Sequence, residues 1–350
     1  MNGRRATAAD VAAAAGVSRS TVSYILNGSD RQSFSPETVA RVRAAAAELA
    51  YLPHAAARAL RKGQSGIVLL VLPDVPGSTN FAKLVAALTD AVRATGRSLV
   101  TLTVRPGNRL VDALRDISPQ ALLEVLPLPE EDSAAALAAN VPVVVVTSSI
   151  ESLDRAAGAL QVEHLAALGH RRLGILTVSD AQVHPFSATR LTAATAAVEK
   201  LGLAPPRVAS VTGPPDARAI GAVATTLRDW TTGEDPVTAV CCFNDLFAAV
   251  TVAAARSAGL DVPGDLSIVG MDDEPLAGLL GPTLTTVRYD FTGTGAHIRE
   301  RLRHALDDGP AAAPISSDAV RVVERESTAP VGGEDAAGPA GRDVSPPRTS

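Results

Sequence analysis

"TAADVAAAAGVSRSTVSYILNG", Thr7 to Gly28, is the stretch on which the fold of this chain turns. Thr7-x-x-Asp10 has the form of a capping box and opens a helix over residues 8–15. Gly16-Val17 reads as a tight turn, and Ser18 caps a second short helix that stops at Asn27-Gly28. That second helix is written oddly. Ser18, Ser20, Thr21 and Ser23 carry hydroxyls, which compete for backbone partners and make mediocre helix formers. Val22, Ile25 and Leu26 nonetheless fall at helical spacing. Ala12, Gly16 and Val22 occupy the three positions that a helix-turn-helix needs: a small residue for close packing, a glycine for the turn, an apolar residue to pin the second helix. Arg19, Ser20, Ser23 and Tyr24 are then left on the outside. In a major groove Arg19 could reach guanine, and Ser20 or Tyr24 could reach base edges or phosphate. Ser18, Thr21 and Ser23 are short donors suited to phosphate oxygens, which position a protein without specifying sequence. The alternative is a plain helical hairpin whose hydroxyls only cap and hydrate.

The surroundings favour DNA. Ser35-Pro36-Glu37 supplies a cap, a proline at the first helical position and an acid in the first turn of a third helix. Its apolar stripe is Val39, Val42, Ala46 and Leu49. Residues 1–62 hold nine basic and four acidic side chains, a balance of +5, while the rest of the 350-residue chain carries −10. A basic head on an acidic body suits one end that meets a polyanion. The head is assigned to residues 1–52, ending before Pro53. Residues 54–61 could form one more helix, too short and too poor in large apolar groups to be stable alone. With Gly63-Gln64-Ser65-Gly66 as a flexible joint, residues 53–65 make a linker.

After Gly66 the texture changes. "GIVLLVLPD" is a continuous apolar run of the kind that marks a strand buried on both faces. Helix patterns in "FAKLVAALTDAVRATG", "AAGALQVEHLAALG", "LTAATAAVEKLG" and "DLFAAVTVAAARSAG" alternate with strand patterns in "SLVTLTV", "RRLGILTV", "VTAVCCF" and "LSIVGMD". Such alternation predicts a doubly wound α/β architecture with parallel sheets, which binds ligands at the carboxyl ends of its strands. The composition agrees: 46% apolar with few aromatics, so the cores are built of Ala, Val and Leu. Cys241 and Cys242 are neighbours on a strand and point to opposite faces, so they read as buried thiols rather than a disulfide. The Gly/Pro/Ser-rich end, residues 330–350, reads as a disordered tail.

Other function classes find little support. Without further cysteines there is no four-ligand zinc site, and neither a metal nor a cofactor is expected. Asp272-Asp273-Glu274 and Asp245 are adjacent acids with no histidine, which diverge rather than converge on a metal. Gly293-Thr294-Gly295 lacks the strand and third glycine of a dinucleotide fingerprint, and no nucleophile elbow, Walker loop or His-Glu-x-x-His is present. No catalytic residue is assigned. No apolar run is long enough to span a membrane, and Asp10 interrupts what would be the core of a signal peptide, so a cytoplasmic protein is expected and an exported sugar-binding protein is not.

The head closely resembles the N-terminus of the LacI/GalR family of bacterial transcription regulators. The matching residues are Asp10-Val11-Ala12, Ala15-Gly16-Val17-Ser18, Thr21-Val22-Ser23, Asn27 and the Tyr51-x-Pro53 exit. The resemblance implies a dimer on operator DNA and adds Thr7 and Asn27 to its DNA contacts. It makes residues 54–61 a hinge helix ordered on DNA, with Leu60 wedged into the minor groove beside Ala57. Tyr24 stands where the family often has arginine, which should shift base preference, and His54 where it often has asparagine, a departure at a minor-groove contact. In the body, "AALGHRRLGIL", "FNDLFAA", "AGLDVPGDLSIVGMDDEPLAGLLGPTLTTVR" and "ERESTAP" are similar to the family's ligand-binding region. That region has the fold of periplasmic sugar-binding proteins, two α/β lobes with effector between them. The resemblance implies a core over residues 66–329, with lobe one at 66–147 and 290–318 and lobe two at 148–289 and 319–329. By position, Arg190, Asn244 and Asp272 would hold a sugar-like or nucleoside-like effector. Of a family loop that closes on effector, "VPGSTNFAK" keeps only Phe81. Read one at a time, these residues have plainer roles: Asp272 a helix cap, Asn244 the start of a helix at Asp245, Arg190 a solvated helix residue. The stretch between "VVVVTSS" and "AAGALQVEHL" looks shortened. The tail carries no leucine heptads of the kind that tetramerise some family members, so a homodimer is expected. The whole reading is a repressor whose operator affinity an effector sets, with a regulator whose sensor binds no small molecule as the alternative.

Overall fold

The computed structural model describes residues 6–27, 34–51, 65–72, 78–105, 109–180, 184–307, 309 and 319–332. The linker with His54, Ala57 and Leu60, and tail residues 333–350, lie outside them. In the head, α1 (Ala8–Ala15) begins with a complete capping box. The Thr7 amide and hydroxyl donate to Asp10 Oδ2 at 2.8 and 2.7 Å, and the Asp10 amide donates back to Thr7 Oγ1. Gly16 ends the helix at φ 64°, a left-handed conformation that a side chain would strain. Ser18 accepts from the Thr21 amide at 3.0 Å and so caps α2 (Arg19–Asn27); Ser35 does the same for α3 (Pro36–Glu48). Val11, Ala12, Ala15, Val22, Ile25, Val42, Ala45 and Ala46 form the core of this three-helix unit. The expected stripe on α3 is one residue too long. Leu49 is the C-cap and already exposed, because the chain has left helical geometry there, and Ala45 is buried in the core instead.

The body is built on two sheets. The first runs β2-β1-β3-β4, all parallel, from β1 (Ile67–Leu72), β2 (Ser98–Thr103), β3 (Ala121–Glu124) and β4 (Val143–Val145). The middle of β1 is buried, as its unbroken apolar run requires. On one face α4 (Thr79–Arg93) and α11 (Thr292–Asp307) pack Leu84, Leu88, Ile298 and Leu302. On the other, α5 (Leu110–Ile117) and α6 (Glu130–Ala138) pack Leu110, Leu114 and Ala136. None of β3, α5 or α6 was expected; their segments are four to nine residues long, too short for periodicity to stand out.

The second sheet runs β10-β9-β8-β7-β5-β6. Its strands are β5 (Leu173–Val178), β6 (Arg207–Val211), β7 (Ala239–Cys242), β8 (Ser267–Met271), β9 (Thr285–Tyr289) and β10 (Val320–Val323). The sheet is mixed rather than wholly parallel, since β10 pairs antiparallel with β9 at the edge, a common finish for a doubly wound sheet. The helices α7 (Thr147–Ala167) and α8 (His184–Lys200) cover one face, α9 (Ala217–Thr231) and α10 (Asp245–Ala258) the other. Cys241 faces the first pair and Cys242 the second. Both are free and buried, and burial pushes both thiols up, Cys242 to about 12.

The helix expected from Ala156 begins nine residues earlier. It starts at Thr147, two residues after β4 ends, so the stretch read as shortened is the first turns of α7 and carries the chain straight from one sheet to the other. Two further passages join the sheets: β9 leads into α11, and α11 into β10. Met271, Val287, Tyr289 and Phe291 accordingly share a core with residues of the first sheet.

Candidate functional site

Two surfaces answer to the residues singled out above. On the head, Ser18, Arg19, Ser20 and Tyr24 are exposed and Thr21 and Ser23 half-buried. Ser18 Oγ lies 2.7 Å from Ser20 Oγ and 2.9 Å from Thr21 Oγ1, so three hydroxyls gather at the positive end of the α2 dipole, a place suited to phosphate. Arg19 stands beside them. Tyr24 rests against Phe34, ring centres 6.5 Å apart, which holds its ring to one side of α2. The Thr7 hydroxyl is engaged in its capping box. Asn27 ends α2, and its side chain lies outside the described residues.

The second surface is a cavity of about 390 Å³ between the sheets, at the carboxyl ends of β5, β7 and β8. Arg190, Asn244, Asp272 and Phe81 all line it. Arg190 comes from α8, whose backbone crosses α7 at Gly158. A Cβ there would sit 2.6 Å from the Arg190 carbonyl oxygen. Asp154 lies one turn before Gly158 on the same face of α7 and so meets the guanidinium. Arg190 Nε donates to Asp154 Oδ1 (2.9 Å), Nη1 to the Phe243 carbonyl (2.9 Å) and Nη2 to Asp272 Oδ1 (3.5 Å). The guanidinium also lies 4.9 Å from the Phe243 ring centre and 5.7 Å from that of Tyr289. From α4, on the first sheet, Asn80 Nδ2 donates to Asp272 Oδ1 (3.2 Å) and the Asn80 amide to Glu274 (3.3 Å).

Asp272 is buried at φ 100° and Asp273 follows at φ 48°, both unusual for non-glycine residues. The strain is held by neighbours: Asp273 by Arg288 and Arg325, Glu274 by its amide on Asp245 (2.7 Å), and Asp272 by its amide on the Val287 carbonyl (2.8 Å). Asp272 therefore caps no helix and Arg190 is not solvated, whereas Asn244 does take the plainer role too. Its Oδ1 accepts from the Phe247 amide at 3.0 Å and caps α10 at the cavity wall. Among the described residues no cluster of His, Cys, Asp and Glu could hold a metal, and no helix is long and apolar enough to cross a membrane.

Residues 7–54 match the family model for bacterial regulatory proteins, lacI family, and residues 162–328 match that for a periplasmic binding protein-like domain. The chain is 31% identical to the HTH-type transcriptional regulator MalR of Streptomyces coelicolor over 348 residues, 93% of this chain and 97% of that protein. It is 30% identical to the lactose operon repressor of Escherichia coli over 91% of this chain and 89% of that one. Among solved structures, the Lac repressor dimer bound to operator and an anti-inducer superposes with a TM-score of 0.71 at 27% identity, covering 93% of this chain and all of that one. The chain belongs to the LacI family. This LacI-family chain is thus a DNA-binding transcription regulator and not an enzyme.

The electrostatics of the regulator's cavity follow from burial. Burial works against the Arg190 charge, but Asp154, Tyr289 and Asp272 more than offset it and hold the guanidinium protonated. Burial raises Asp272 to about 6 against the pull of Arg190. Tyr289, also raised by burial, donates its hydroxyl to Asp154 Oδ1 at 2.7 Å. Asp154, Asn80 and Tyr289 were not anticipated, because they carry no motif and reach the cavity only through the packing of α7, α4 and β9. One signal was available: five of the chain's six phenylalanines line this cavity, in a sequence with 3% aromatics.

Proposed function

We propose that this regulator is a cytoplasmic homodimer that represses by binding an operator through α2, with affinity set by a small molecule in the cleft. Arg19, Ser20 and Tyr24 read base edges, while Ser18, Thr21 and Ser23 fix the protein on phosphates. Thr7 and Asn27 border that surface, and a hinge with His54, Ala57 and Leu60 contacts the minor groove. The head is residues 1–52, the hinge 53–65, and the core 66–329 divides into the two lobes given above. The observation that carries the effector reading is the cavity at the strand ends, where Asn80 from one lobe donates to Asp272 of the other, which also accepts from Arg190. A ligand touching both sides favours one angle between the lobes over others, and it changes DNA affinity only by that difference.

A second reading has its own support. The bonds from Asn80 to Asp272 and Glu274 already join the lobes, as in a sensor that closes on itself and binds no small molecule. The buried Asn80 Oδ1 and Asp154 Oδ2, which have no partner, favour a ligand instead. A mobility-shift assay of the full chain on its operator, with a panel of sugars, nucleosides and amines, separates the two. At least one compound should change DNA affinity about tenfold or more, equivalent to ~1.4 kcal/mol, and Asp272→Ala should remove that response while leaving DNA binding in place. No response across the panel would favour the closed sensor.

A further inference from the structure

The cavity walls are divided by chemistry. Its buried polar side chains form one connected string, Asn80 to Asp272 to Arg190 to Asp154. Much of the remaining lining is apolar and strongly aromatic: Phe81, Phe186, Phe243, Phe247, Phe291 and Tyr289. Placing five of six phenylalanines around one small space is not what an Ala/Val/Leu core needs. Leu84, Ile150, Val178 and Leu246 complete walls that would solvate a hydrocarbon or an aromatic ring.

The polar string is unbalanced in two ways. First, three of the five Arg190 N–H groups already go to Asp154, the Phe243 carbonyl and Asp272, and Asn80 gives an amide hydrogen to Asp272. Two acceptors, by contrast, have no donor at all. Asn80 Oδ1 and Asp154 Oδ2 are buried without partners, on residues 7% and 1% exposed. Second, two carboxylates face one guanidinium. Lys83, close enough to act on Asp272, is countered by Glu274. Arg190 already covers the faces of Phe243 and Tyr289, and Phe81, Phe186 and Phe247 remain as further ring lining.

We propose that the cleft takes a small organic cation: an ammonium or amidinium head that donates to Asp154 Oδ2, on a ring-bearing apolar body held among the phenylalanines. This rests on the reading of the cleft as an effector site and narrows it. A neutral polyol would need donors and acceptors around its whole rim, whereas the buried polar side chains of this cavity lie along one string against largely apolar walls. A carboxylate or phosphate ligand would face two carboxylates that share the one guanidinium, Arg190. The cation instead meets an acceptor lacking a donor, a net negative wall and ring faces.

The test uses the full chain and calorimetric titration with four probes near neutral pH: 2-phenylethylammonium, its neutral isostere 2-phenylethanol, glucose and adenosine. The ammonium should bind at least about tenfold more tightly than the alcohol, a difference of ~1.4 kcal/mol. Asp154→Asn should reduce that preference, and Phe186→Ala should weaken both phenyl probes alike. Should Asp154→Asn fail to fold, the ammonium-to-alcohol ratio in the unaltered protein decides alone. A ratio near one, or no ammonium binding at millimolar concentration, overturns the proposal. If glucose or adenosine then binds, the cation is wrong and the effector site stands; if none of the four binds, both fail.

Discussion

Arg19 stands exposed at the first position of α2, beside a cluster of hydroxyls, and its role can be split experimentally. Arg19→Ala should cost about 1–3 kcal/mol on the preferred operator and little on random DNA, the mark of a base contact. An equal loss on both, measured by fluorescence anisotropy, would make it a phosphate contact. Asp245 supports a prediction of another kind. Its carboxyl is buried, accepts from Thr286 and the Glu274 amide, and is raised by burial to about 7. A carboxyl raised above its unfolded value stabilises the fold while protonated, and that contribution is lost as pH rises through about 7. Thermal stability should therefore decline from pH ~4 to ~7 and level off above it, and less steeply in Asp245→Asn; an unchanged slope would mean that Asp245 keeps its ordinary value in the fold. At this scale the sequence was legible where a residue sits in a motif. Arg190, Asn244, Asp272 and Phe81 do converge on one cavity, but Asp154 and Asn80 were hidden, because an acid in a helix or an asparagine before a phenylalanine says nothing of what lies across a cleft.

Among the elements, caps and long apolar runs were readable, whereas short amphipathic pieces, the longer α9 and α11 and the strands β6 and β9 were not. The capping box at Thr7, the proline start of α3 and the run in β1 each follow from local chemistry. The four-residue strands β3 and β10 follow from tertiary pairing that no local pattern announces, and α7 begins early because it must leave β4 directly. The crossing of α7 and α8 is the element contact on which the cavity most depends. In Gly158→Ala the new methyl meets a backbone carbonyl at 2.6 Å, which cannot swing aside. The variant should lose about 1–3 kcal/mol of stability and, by displacing Arg190, weaken ligand response as well. Denaturant midpoints showing no loss would contradict this account of how the guanidinium is placed. The hinge lies outside the described residues, yet its assignment is testable. Leu60→Ala should reduce the bend induced in operator DNA, read by circular-permutation mobility, and an unchanged bend would remove Leu60 as the wedge.

At the scale of the molecule, three passages join the two sheets, and β9 with Tyr289 packs into both. The cavity lies on the same seam. On the proposed function a ligand that favours one lobe angle changes DNA affinity, and DNA then changes ligand affinity by the same factor. A two-fold dimer carries two copies of α2 and so demands an operator with two matching half-sites. The most direct measurement is selection of bound DNA from a random pool by the full chain. The account predicts enrichment of one two-fold symmetric sequence, with half-sites about one helical turn apart or a multiple of it, lost in Arg19→Ala. Recovery of a pool no different from the input would contradict it.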